Sequence, residues 1–185
     1  MIERLFQNWV YGGALAGILL VILAPLLVPS LGAGGLYGYL ALIAYMLHQY
    51  EEHDHDRFRQ FVNKRVAVGR RGLSVADVFI INVPGVWGVI ALSMWLAERA
   101  ALGWALIAAW LMVVNALAHS VQAVAMRRYN PGLVTAVVLF VPLGGWILVS
   151  LWPVATFTQN ATSLVIVLLI HIGIVFRAMR PAASA

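Results

Sequence analysis

Six stretches of this chain are long and apolar enough to cross a lipid bilayer. A helix needs about 20 such residues to span the hydrocarbon core. The stretches run from about Trp9 to Val28, Leu36 to Glu52, Val75 to Leu96, Ala101 to Met126, Leu133 to Trp152 and Thr162 to Met179. Pro25 and Pro29 close the first, and the glycine-rich turn from Gly32 to Gly35 opens the second. Of the 185 residues 63% are hydrophobic and only 10% charged, where a soluble domain carries about 25% charged residues. A water-soluble fold of this size leaves too much surface exposed to hide that apolar content. The expected fold is therefore all-α, a polytopic membrane bundle of about six transmembrane helices, built as a single domain over residues 1–185. Met1-Ile2-Glu3-Arg4 runs into the first stretch without a small-residue cleavage site, so that stretch reads as a retained helix. With no cysteine in the chain, disulfides and thiolate metal ligands do not arise.

Charge orients the bundle. Six spans put Arg4, Arg57, Arg59, Lys64, Arg65, Arg70, Arg71, Arg127, Arg128, Arg177 and Arg180 on one face and only Arg99 on the other, eleven of the twelve basic residues against one. Basic loops stay in the cytoplasm, so both termini are expected there. The protein is expected in a plasma membrane of the bacterial inner-membrane kind, as a multi-pass protein. The formal charge of +5 does not point to nucleic acid, because the basic residues flank apolar spans and suit anionic lipid headgroups.

Polar residues inside the spans carry the functional signal. The second span ends His48-Gln49-Tyr50-Glu51-Glu52-His53-Asp54-His55. At 100° per residue, His48, Glu51, Glu52 and His55 share an arc of roughly 100°. The fourth span carries Asn115, His119 and Gln122 at helical spacing. The sixth carries His171 and the third Asn82. All fall in the cytoplasmic half. An ionisable group in hydrocarbon costs roughly 2.5 kcal/mol or more, so such groups face the interior and find partners. Blander readings exist for each. A span end is polar anyway, a buried histidine bonds a neighbouring helix, and Asn82 serves the backbone freed by Pro84.

The motif His48-x-x-Glu51-Glu52 resembles the signature of the HXXEE family of small multispanning membrane proteins. Asn115-x-x-x-His119 and Arg128-Tyr129-Asn130-Pro131-Gly132 resemble further features of that family. The resemblance implies a metal-dependent membrane enzyme, and a hydrolase fits. It implies no substrate.

Imidazole and carboxylate ligands without sulfur suit a divalent metal, zinc before iron. The expected ligands are His48, Glu52, His119 and His171, with His55 one turn further out. Glu51 or Glu52 is the expected catalytic base. Asn82, Asn115 and Gln122 orient ligands or meet substrate, and Arg128 reaches a substrate anion. The expected partners are membrane lipids, and the substrate is lipid-like, acted on at the cytoplasmic side. Five histidines are too few for the diiron pattern of membrane desaturases. Two alternatives use the same residues: a metal-free acid–base isomerase or cyclase acting on a lipid, and a proton-coupled or metal transporter.

Overall fold

A computed structural model describes residues 1–182. The described residues form seven helices: α1 (Ile2–Leu27), α2 (Ala33–His53), the short α3 (Arg57–Phe61), α4 (Val75–Arg99), α5 (Leu102–Met126), α6 (Leu133–Leu151) and α7 (Phe157–Met179). Among the described residues there is no strand, and one isolated bridge joins Arg70 to Pro181. The architecture is all-α, and the chain is a multi-pass membrane protein. Five helices, α1, α4, α5, α6 and α7, are each long and apolar enough to cross a bilayer.

The expected second span forms as a helix but falls outside those five. Its composition gives the reason. α2 carries four tyrosines together with His48, Gln49, Glu51, Glu52 and His53. Its 21 residues reach about 31 Å at 1.5 Å each, so length is not what excludes it. Thirteen of the 21 are buried, against four in α1. α2 is the inner helix, contacting α1, α4, α5 and α6. A helix shielded from lipid by its neighbours does not need an apolar surface, and α2 uses that freedom.

α5 is the second inner helix, packed on α2, α4, α6 and α7. The main core lies between these two and their neighbours, with Ile90, Leu111, Met112, Phe140, Ile147 and Val167 almost completely buried. Tyr45 of α2 donates to the Leu111 carbonyl at 2.8 Å. Two other span boundaries differ from expectation. α1 starts at Ile2 and not near Trp9. α7 starts at Phe157 and not near Thr162, because Thr156 and Gln159 form a reciprocal capping box.

Two of the long helices carry local π-type turns, and a third such turn, Val62–Val66, continues α3. In α4 the turn covers Ile81–Trp87 around Pro84, which has no N–H to continue the ladder. Asn82 donates to the Val78 carbonyl at 2.8 Å and accepts from Gln49 at 2.9 Å. Gln49 in turn accepts from Trp87 at 2.7 Å. The Asn82 oxygen thus ties α4 to α2, while its amide bonds within α4. In α6 the turn covers Ala136–Phe140.

The basic residues gather at one end. There Phe6 meets Phe79, Trp9 meets His53, and Tyr129 donates to Glu51. Asp77, at the start of α4, is the fastening point. It caps the helix through Ser74, accepts from Arg71 at 2.8 Å, and takes two contacts from Arg177 of α7 at 2.9 and 3.0 Å. Backbone bonds from Arg71 and Gly72 to Arg180 and Ala178 reinforce it. Asp77→Ala removes the carboxylate half of the capping box and leaves two guanidinium groups without their acceptor. A loss of about 2 kcal/mol of stability is expected, read as a lower thermal midpoint in detergent with the helical content retained.

Candidate metal centre

His48 and Glu52 lie one turn apart near the end of α2, and His119 lies on the facing side of α5. All three are buried. Glu52 Oε2 lies 3.5 Å from His48 Nε2, and Glu52 Oε1 lies 3.4 Å from His119 Nε2. One ligand atom from each residue falls within 4.8 Å of the others. Ligand atoms about 2.0–2.1 Å from a tetrahedral ion are themselves about 3.4 Å apart, so both measured separations suit one.

The outer hydrogen bonds fix what the three groups present. Thr135 donates its single hydroxyl proton to Glu51 Oε2 at 2.5 Å. Its oxygen can then only accept from His48 Nδ1, 2.9 Å away. The His48 Nδ1 is therefore protonated, and in the neutral ring Nε2 carries a lone pair. Nε2 is buried without a hydrogen-bond partner. On the other side, Asn130 donates from Nδ2 to the His119 carbonyl at 2.8 Å. That settles the amide orientation, because a carbonyl cannot donate. Asn130 Oδ1 then accepts from His119 Nδ1 at 2.7 Å, so that in the neutral ring His119 Nε2 is a lone pair as well. With both rings neutral, two imidazole nitrogens and a carboxylate face one another as acceptors. One atom from each of the two His and the Glu could then hold a metal ion, and imidazole with carboxylate is a donor set that divalent metals accept.

The loop between α5 and α6 builds this arrangement. Arg127 at the end of α5 is left-handed, with φ 49°. The chain then doubles back so that Asn130 is fully buried against His119. Gly132 has φ +97°, and a Cβ there would lie 2.8 Å from His119 Cε1 and 2.9 Å from His48 Cε1. Only glycine lets the backbone come so near both rings. Phe140 closes the far side, 4.4 Å from the His48 ring between centroids.

Glu51 faces away from this cluster. It accepts from Tyr129 at 2.8 Å, from the Val134 amide at 3.1 Å and from the Thr135 amide at 2.7 Å. It thereby satisfies free amides at the start of α6, where a negative charge is favoured. Burial and the Glu51 carboxylate push the Tyr129 hydroxyl above its ordinary pKa. Glu51 acts on the centre through Thr135, as a positioning residue for His48.

The other expected residues divide. His55 lies beyond the end of α2 in a left-handed turn, its side chain 83% exposed beside Asp54, so the helical arc that placed it with His48 does not extend so far. Arg128 is exposed on the loop and is not part of the cluster. His171, Asn82, Asn115 and Gln122 line one cavity together with Glu52 and His119. His171 is not within the group of three. Its Nδ1 donates to the Val167 carbonyl at 2.9 Å, which leaves Nε2 as an acceptor.

Three contributors were not singled out from sequence. His53 is buried, with Nε2 3.1 Å from Glu52 Oε2 and neither ring nitrogen hydrogen-bonded. The arc had pointed it elsewhere, yet the Trp9 and Phe58 rings hold it in place at 5.3 and 5.4 Å. Asn130 was within view in the Arg128–Gly132 motif but read as part of a turn. Thr135 had no signal beyond its place five residues further on.

The family comparison agrees with this convergence. The profile of the family described as proteins of unknown function with an HXXEE motif matches residues 39–147, more than half of the 185 residues. The chain belongs to that family. No curated protein and no solved structure matches it. The matched region contains His48, Glu51, Glu52, His119, Asn130, Gly132 and Thr135, every residue that forms or directly props the group of three.

Gly132→Ala puts a methyl group against both imidazoles in a backbone conformation that alanine resists. Expected is a helical protein whose zinc affinity, measured by competition with a chromophoric chelator, falls at least tenfold. Asn130→Ala, which frees only the His119 ring, is expected to fall within the 10–100-fold range usual for lost outer partners.

Proposed function

We propose that the protein is a metal-dependent membrane hydrolase acting on a lipid-like substrate at the cytoplasmic side. One observation carries the reading: Glu52 and the Nε2 atoms of His48 and His119 converge in the interior beside a cavity, with both Nδ1–H groups held outward by Thr135 and Asn130. A divalent metal at this position, zinc before iron, supplies Lewis acidity and lowers the pKa of water to about 7.

The chain's own residues then have distinct tasks. His48, Glu52 and His119 hold the ion. Thr135, backed by Glu51, keeps His48 in the Nδ1–H form, and Asn130 does the same for His119. With Glu51 committed to the start of α6, the base is sought on the cavity wall. His171 presents an unprotonated Nε2 there and is the candidate to take a proton from the attacking water and return it to the leaving group. His53 sits against the free edge of Glu52 and orients that carboxylate.

Six spans, with α2 crossing as the inner helix, put both termini in the cytoplasm. The gathering of the basic residues at the end nearest the metal group supports that orientation. The lack of cysteine makes a direct check simple. In spheroplasts, a cysteine placed at Arg65 should react with an impermeant maleimide only after lysis, and one at Ala101 should react before it.

The transport alternative needs a polar route to the other end. At the opposite end Glu98 accepts from the Gly35 amide and Trp110 donates to Asn160, and the pocket there is walled mainly by apolar side chains such as Leu106, Leu148, Val149 and Phe157. The metal-free isomerase would use the same Nε2 atoms, which face Glu52 at 3.5 and 3.4 Å, and bound metal is what separates the two readings.

Elemental analysis of the detergent-purified protein should find close to one zinc per chain, lost in Glu52→Ala and His119→Ala. Thr135→Val should weaken zinc about 10–100-fold. His171→Gln should keep the metal and lose turnover by about 10²-fold or more. Absence of bound metal in the wild type after zinc reconstitution would sink the reading.

A further inference from the structure

The metal group opens onto a cavity of about 220 Å³ between α2 and α5 on one side and α4 and α7 on the other. α4 and α7 are fastened together at the basic end by Asp77 and Arg177. Along the bundle they have no packing comparable to that of the other helix pairs. Val175 and Met179 line the cavity and are also exposed on the outside of α7. The wall is therefore open sideways, toward lipid.

The lining has a pattern. Glu52, His119, Asn115, Gln122 and His171 form a polar belt. On the side of the bilayer centre the wall is Tyr45, Val86 and Leu111. Toward the basic end it is Val62, Val66 and Leu73. Leu111 lies eight residues from His119 along α5, about 12 Å. A ligand that fills this space carries its polar group between two apolar portions and not at one end. An apolar cavity of about 150 Å³ accepts one benzene ring, so 220 Å³ holds one chain segment and not two side by side.

No Lys or Arg is among the described residues that line the cavity, although the chain has twelve. The two guanidinium groups at its margin, Arg71 and Arg177, are both bound to Asp77. An anionic phosphate leaving water needs several cationic donors to replace its hydration, and beyond the metal group, whose charge Glu52 already partly offsets, the wall offers only neutral amides and imidazoles. A carbonyl needs no such donors.

Taking the hydrolase reading as its basis, we propose that the cavity takes a single-chain, uncharged acyl ester or amide, admitted sideways between α4 and α7. The carbonyl sits at the level of Glu52 and His119, and a phospholipid phosphate is not what the cavity recognises.

The test uses a medium-chain acyl methyl ester bearing a diazirine, irradiated with the full chain in lipid nanodiscs, with zinc content measured on the same samples. Adducts are expected on α4 and α7. Unlabelled ester should suppress them, and an alkyl phosphate of equal chain length should do so at least tenfold less well. Ile174→Trp, which fills the cavity, should cut labelling at least tenfold with zinc retained. Ile170→Phe serves as a second plug should the first fail to fold. Leu169→Trp, on the exposed face of α7, should change nothing. Labelling that survives both plugs, or equal competition by the phosphate, overturns the proposal. Plug-sensitive labelling of a protein that binds no zinc leaves the cavity assignment standing and removes the hydrolase reading. Zinc with plug-insensitive labelling does the reverse.

Discussion

A carboxylate buried inside a membrane bundle has to be matched by positive charge, and the arrangement around Glu52 depends on how that match is made. Its side chain is 7% exposed and touches three imidazoles. An unmatched charge at such a depth costs at least about 2.5 kcal/mol. Protonated imidazoles would provide one answer. Two of the three have their Nδ1 protons fixed outward, to Thr135 and to Asn130, and turn Nε2 toward Glu52, where a proton or a metal ion can supply the charge. Each outward bond has its own support. Thr135 is held by Glu51, and Asn130 by the His119 carbonyl. Gly132 permits the close approach that both need.

That constraint also explains the shape of the bundle. A helix bearing His48, Gln49, Glu51, Glu52 and His53 cannot face lipid along its length. α2 is accordingly wrapped by four other helices, which are apolar enough to face lipid in its place. Its remaining polar groups are spent on the walls. Gln49 links Asn82 and Trp87 of α4, and Tyr45 reaches α5. The same residues that make α2 the least apolar of the long helices tie it into the interior.

Hydropathy alone made five helices legible, and the sixth was found by the same scan despite its polarity because its first half is apolar. The bounds of α1 and α7 were missed where a polar first turn, such as Thr156 to Gln159, hides a helix start. The candidate centre was half legible. His48, Glu52 and His119 stand out as ionisable groups at one depth on two spans. Angular spacing could not decide between the neighbours. Glu51 and Glu52 differ by 100°, and which one faces α5 depends on where α6 begins. His55 failed for a local reason, since α2 ends at His53 and the chain turns left-handed. His53 failed for the opposite reason, being drawn inward by Trp9 and Phe58 from a position the arc excluded. Asn130 and Thr135 belong to a loop and a first turn, which have no periodicity to read. Their roles arise from the fold bringing residues 130–135 back over residues 48–52.

Positive charge serves two separate purposes in this chain. Eleven basic residues crowd the end of the bundle nearest Glu52, close enough for one of them to have neutralised it. None does. Arg59 pairs with Asp56, Arg57 with Asp54, and Arg71 and Arg177 with Asp77. Each of these carboxylates lies at the surface end of the bundle, and each keeps a guanidinium out of the interior. A guanidinium is the usual partner of a buried carboxylate, since its planar fork matches the two oxygens. A side chain of that kind at Glu52 would occupy the space between His48 and His119 permanently. Histidines whose outer nitrogens are already bonded leave room beside Glu52 for a small cation. The cavity wall beyond it carries no Lys or Arg among the described residues. Fixed positive charge therefore stays at the surface end of the bundle, while Glu52 is left to imidazoles in the interior.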